Sequence, residues 1–123
     1  MTTTLAPITV RIDRILPSQN LWNNRRGYQA AIISRQERDA WYALLRVQIV
    51  PREPVKVPRE MRITSYRKVL IDYGNLVGGA KMLPDGLIKL GYLWDDKPQW
   101  LTCEYLQFKA PEAMRGTVVE ILK

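Results

Sequence analysis

Hydrophobic and polar positions change period several times along the chain, and each change marks an element. Ile8, Val10 and Ile12 alternate with Thr9, Arg11 and Asp13, which predicts a half-buried strand running to Leu16. Pro17-Ser18-Gln19-Asn20 ends it as a turn, and Leu21 to Gly27, rich in asparagine and arginine, reads as a polar loop. Ser34 with Glu37 three residues on forms a capping-box pattern, predicting a helix from there to about Gln48. Its apolar side carries Trp41, Leu44, Leu45 and Val47-Gln48, with Trp41 expected in the core and Tyr42 at its edge. Pro51, Pro54 and Pro58 stop the helix and stiffen the connector.

Alternation resumes at Met61 and predicts a strand to Leu70 that continues through Ile71 and delivers Asp72 at its end. Leu76, Ala80, Leu83, Leu87 and Leu90 then fall in one arc of a helix, with Lys81, Asp85 and Lys89 on the other side. Pro84 cannot donate to the carbonyl four residues back, so this helix should kink or start late, near Met82. Gly91 is its candidate C-cap. Trp100 to Lys109 and Thr117 to Leu122 read as strands, joined by a loop at Pro111 to Gly116 with room for a helical turn. The order strand, helix, strand, helix, strand, strand predicts one α+β domain: a mixed β-sheet with two main helices packed on one face.

The 123 residues suit a single domain spanning residues 1–123. No run of 18 apolar residues occurs, so no membrane span is expected. The start, Met-Thr-Thr-Thr-Leu-Ala-Pro, lacks the pattern of a signal peptide, and the single cysteine, Cys103, suits a reducing cytoplasm. Nineteen Lys and Arg against twelve Asp and Glu give a net charge of +7, and twelve of the nineteen are arginine. That balance is the electrostatic footprint of a nucleic-acid binder, although plain solubility charge accounts for it as well. The absence of histidine removes Ser-His-Asp and Cys-His nucleophiles and histidine-containing zinc sites. Acid–base chemistry would fall to carboxylates, lysine, tyrosine or metal-bound water.

Against this basic background, four of the six aspartates lie between Asp72 and Asp96. Carboxylates gathered in a basic chain suit a hard cation such as Mg²⁺ facing phosphate, the arrangement used in phosphodiester hydrolysis. Each residue also has a plainer reading. Asp72 would serve as a helix N-cap, Asp95-Asp96 as a surface turn before Lys97-Pro98, and Lys81 as the partner of Asp85 on a solvated face. Asn75 either orients a ligand or caps the helix. Arg25 and Arg26 in the polar loop, and Arg67, Lys68, Lys89 and Lys97 around the acidic stretch, are candidate DNA-phosphate contacts.

Asp72-x-x-Asn75-Leu76, followed by Lys81, Asp85, Gly91 and Asp95-Asp96, resembles the RusA-type Holliday junction resolvases common in phages and prophages. The Pro17-Ser18-x-Asn20 turn is also similar, and the likeness runs over roughly residues 8–122. The resemblance implies a Mg²⁺-dependent endodeoxyribonuclease, with Mn²⁺ as a substitute. It would act as a homodimer that nicks four-way DNA junctions symmetrically in recombination and repair, in the nucleoid of a bacterial host. It places Asp72 and Asn75 on the first aspartate and the asparagine of an Asp-x-Asp-Asn motif and Lys81 on the family's lysine. Asp96 falls on the later essential carboxylate, with Asp95 beside it as a further metal ligand, and Asp85 is expected in support. The second aspartate of the motif falls on Gly74, so one ligand is missing. Asp95 or Asp85 substitutes, or the chain binds junctions without cutting them well, or position 74 carries an inactivating change. The rival classes are a catalytically inactive junction- or single-stranded-DNA-binding protein and a scaffold module without nucleic acid.

Overall fold

In the computed structural model, which describes residues 5–122, the strongest alternation builds the sheet. Strand β1 (Ile8–Ile12) is followed by a short helix α1 (Asn20–Asn23) and a long helix α2 (Gly27–Gln48). Strand β2 (Arg59–Arg67) leads to two short helices, α3 (Tyr73–Gly79) and α4 (Met82–Lys89). Strand β3 (Leu101–Lys109), a 3₁₀ turn (Glu112–Met114) and strand β4 (Gly116–Ile121) complete the chain. The four strands lie in the order β1-β4-β2-β3. Strand β4 runs antiparallel to both β1 and β2, and β3 is parallel to β2, so the sheet is mixed and the α+β expectation holds.

One face of the sheet carries Val10, Ile12, Met61, Ile63, Leu101, Val119 and Ile121, all buried. Trp41 and Leu45 of α2 pack against it with Leu76, Ala80, Leu83, Leu87 and Leu90, so the apolar arc read from the sequence is the buried side of α3 and α4. Gly86 lets α2 and α4 close on each other: an added Cβ would sit 3.0 Å from Leu45 Cδ1. The opposite face is left open and carries the Arg62–Glu104 ion pair and the stacked rings of Tyr66 and Phe108.

Four boundaries differ from the sequence reading. Strand β1 ends at Ile12, short of Leu16. Helix α2 starts at Gly27, not at Ser34, and Arg26 is its N-cap residue. Glu37 has no capping role. Its carboxylate accepts bonds from Arg14 Nη2 at 3.0 and 2.9 Å and from the Trp41 indole at 3.1 Å, tying the loop after β1 to the core. Strand β2 ends at Arg67, short of Leu70. Arg67 is only 8% exposed and folds back, donating to the carbonyls of Leu16 (2.7 Å) and Val69 and to Ser65 Oγ. Part of the expected loop at Leu21 to Gly27 is the short α1.

The Pro17–Asn20 turn is fixed against α3. The Gln19 N–H donates to the Asn75 carbonyl at 3.1 Å. A Cβ on Gly79 would run into the backbone carbonyl of Pro17, and one on Gly78 into the Gln19 side chain. Gly78-Gly79 is therefore a close-approach pair. Gly74, one turn earlier, faces open space.

The two positions should respond oppositely to alanine. Gly79→Ala should lower stability by about 1–3 kcal/mol, since backbone must shift to admit it. Gly74→Ala should raise it by about 0.5–1 kcal/mol through helix propensity. Urea midpoints of the two variants check both signs.

Candidate functional site

The acidic stretch is shaped by the break between α3 and α4. Helix α3 ends at Gly79, and Lys81 becomes the N-cap residue of α4. Pro84 lies in the first turn of α4, where an N–H has no intrahelical partner, so proline costs little there and sets the late start near Met82. Beyond α4, Gly91 adopts φ +88° with Arg52 against it: the Arg52 N–H donates to the Leu90 carbonyl at 2.9 Å. The Tyr92 hydroxyl donates to the Val50 carbonyl at 2.7 Å. These contacts hold the exit of α4, from which Trp94, Asp95 and Asp96 follow.

Lys81 and Asp96 line a cleft of about 220 Å³ together with Gly78, Cys103 and Tyr105. Lys81 also belongs to a second cleft, of about 280 Å³, with Gln19, Ser34, Arg38 and Asp85. Asp85 and Arg38 continue into a third, of about 510 Å³, with Arg35, Asp39, Tyr42 and Lys89. The first two share Gly78 and Lys81, and the second and third share Arg38 and Asp85, so the three form a row of neighbouring clefts, a trench across α4.

The titration of Asp85 reports its neighbours. Burial pushes its carboxyl above the ordinary value, Lys81 and Arg38 pull it down, and Asp96 pushes it up. Asp85, Asp96 and Lys81 thus stand within electrostatic reach of one another. Asp95 is turned locally: its Oδ1 accepts the Asp96 backbone N–H at 2.7 Å, the turn that the sequence allowed. Asp72 occupies the N-cap position of α3 in an extended conformation, yet its carboxylate makes no cap hydrogen bond. It is exposed and lies outside the lining of the three clefts. Its neighbour Tyr73 meets Tyr105 edge-on at 6.5 Å, which puts the start of α3 beside the Asp96 cleft. The Gln107 amide brackets Ile71, accepting its N–H at 3.0 Å and donating to its carbonyl at 2.7 Å, and so fixes the approach to Asp72. Among the described residues, no three His, Cys, Asp or Glu side chains gather into a preformed metal cage.

The expected phosphate contacts divide. Arg25 and Arg26 are exposed between α1 and α2, and Lys68 and Lys97 are exposed beside the acidic stretch. Lys89 lines the outer cleft with its Nζ 4.7 Å from the centre of the Tyr42 ring. Arg67 is the correction: its guanidinium is spent on Leu16, Ser65 and Val69 inside the fold. Arg35 and Arg38 were missed as site residues. Positions 35, 38 and 42 form a stripe along one side of α2, a spacing already present in the helix read from Ser34 onward. Compared with known proteins, the chain matches no family model and no curated sequence.

Two measurements follow from these titrations. Asp85 is more readily protonated in the folded chain than in the unfolded one, so its contribution to stability is full below the ordinary carboxylate pKa of about 4 and is lost as pH rises through the raised value. Asp85→Asn should therefore raise the melting temperature at pH 7, with the gain vanishing below about pH 4. Burial pushes the Cys103 thiol up to about 11. Iodoacetamide at pH 8 should modify it about a hundredfold more slowly in the folded chain than in urea.

Proposed function

We propose that this chain is a divalent-metal-dependent, structure-selective endodeoxyribonuclease that resolves four-way DNA junctions and is impaired by glycine at position 74. The observation that carries the reading is the placement of Lys81, Asp85 and Asp96 around one break between helices, in a trench that also carries Arg35, Arg38, Asp39 and Lys89. Acting on a four-way junction calls for two sites related by a two-fold axis, so the working form is a homodimer. The reading places the protein with DNA in a bacterial cytoplasm.

The donors suit Mg²⁺ or Mn²⁺. They are carboxylate oxygens, and the one sulfur in the cleft stays a neutral thiol because its pKa is pushed up to about 11. Mg²⁺ characteristically takes one or two carboxylates and fills its remaining positions with water and phosphate oxygens, so no closed cage is needed. Asp96 and Asp85 would hold it, with Asp72 approaching from the start of α3 and Asp95 keeping the Asp96 backbone in place. When bound, such an ion polarises the phosphate and lowers the pKa of water. The chain's own part is positional. Lys81 offsets negative charge on the phosphate, and the Asp85–Asp96 repulsion gives both carboxylates reason to accept a positive neighbour.

Gly74 favours a second reading, a protein that binds branched or single-stranded DNA without cutting it. The space at position 74 is open, so an aspartate fits there without displacing anything. On a synthetic four-way junction with Mg²⁺, Gly74→Asp should cut at least tenfold faster than the chain with glycine. A variant that binds the metal yet cuts no faster would refute the missing-ligand assignment. Tight junction binding by both proteins, with no nicks even in Mn²⁺, would leave the second reading standing.

A further inference from the structure

Part of the positive charge of this chain is engaged by partners within the fold. Arg14 is held by Glu37, Arg11 by Asp13, Arg62 by Glu104, and Arg67 by backbone carbonyls. Arg35, Arg38, Lys81 and Lys89 form no ion pair within 4.0 Å among the described residues, and all four line the joined clefts on α2 and α4. Three carboxylates, Asp39, Asp85 and Asp96, share the lining of the three clefts, which leaves the four cations in excess by one. The trench opens at Lys89 and Tyr42, passes Arg38 and Asp85, and reaches Lys81 and Asp96.

We infer that this trench is the track along which one nucleic-acid strand lies on its way to Asp96, gripped through its phosphates by Arg35, Arg38 and Lys89. Arg35 and Arg38 sit three residues apart on α2, about 4.5 Å along its axis, so their long arms reach neighbouring phosphates of one strand. Gly86 lines this part of the trench, where an added Cβ would stand 3.5 Å from Tyr42 Cδ2. The Tyr42 ring carries Lys89 Nζ at 4.7 Å and the Arg46 guanidinium at 5.9 Å, so it serves to seat cations. The contact is therefore to backbone and independent of base sequence. The inference rests on the nuclease reading for what happens at Asp96, but the track itself is a binding property.

The test is binding of a fluorescein-labelled four-way junction and a labelled single strand in EDTA, across a salt series. The proteins are the full chain, the Arg35→Gln/Arg38→Gln variant, and an Arg11→Gln/Arg62→Gln variant that removes equal charge from the open face of the sheet. The track variant should lose at least tenfold in affinity at 0.1 M salt, and its log–log salt slope should fall by about 1.4–1.8. The open-face variant should change binding less than threefold. Equal losses in both variants, or none in the track variant, would overturn the inference. So would stronger competition by polyglutamate or anionic vesicles than by unlabelled DNA. Because EDTA removes cleavage from the readout, a chain that binds along the track but never nicks in Mg²⁺ or Mn²⁺ would sink the nuclease reading and support the track.

Discussion

Everything near the acidic stretch depends on backbone lying directly against backbone, where the Pro17 carbonyl occupies the volume a side chain at Gly79 would need. The approach is sealed by the Gln19 N–H on the Asn75 carbonyl. It joins the first fifth of the sequence to the middle, and it fixes where α3 stops and hence where Lys81 begins α4. The other end of the same loop is tied to the sheet by Arg67 and by the Thr117 hydroxyl on the Arg14 carbonyl at 2.8 Å, and to α2 by the Arg14–Glu37 pair. Such a loop would be mobile if it were only covered. Paired at both ends, it is part of the scaffold, and its buried polar groups are satisfied where leaving them bare would cost stability.

The scaffold separates two populations of carboxylate. Asp95 is turned into its own backbone, whereas Asp85 and Asp96 face each other's field with Lys81 close by. Asp72 stands apart at the start of α3, its side chain uncommitted to the helix end it marks. Under the proposed chemistry the division of labour is uneven. The break between α3 and α4 supplies the fixed groups, and the approach to α3 supplies a group that must be brought in by what binds.

Sequence periodicity reported the fold well where burial is one-sided. The arc Leu76, Ala80, Leu83, Leu87, Leu90 and the alternation at Ile8–Ile12 need only a single core, so their spacing is unambiguous. It failed where long-range polar contacts decide. Nothing local tells that Glu37 serves Arg14 and Trp41 and caps no helix, or that Arg67 curls back to Leu16 and stops its strand. The early start of α2 escaped for another reason: Gly27 to Ile33 project their side chains mostly into solvent, and no stripe forms to be read. Arg35 and Arg38 fell inside the helix as read, and only the packing of α4 beside α2 shows that they line a cleft. The residue types of the acidic stretch were legible, but not which carboxylates meet. Asp96 comes within electrostatic reach of Asp85 through a helix exit pinned by Val50 and Arg52, far back in the chain.

Strand β3 gives the protein an unusual relation to acidity. Its half-burial drives Cys103 and Tyr105 upward, away from neutrality, and no histidine stands in for them. Histidine is the side chain whose ordinary pKa lies between 5 and 8. Over that interval the excess of cationic side chains stays nearly level. Under the proposed DNA binding, ionic strength, which sets how far those charges are felt, is therefore the dial to which the grip answers, and a drifting proton concentration leaves it almost untouched.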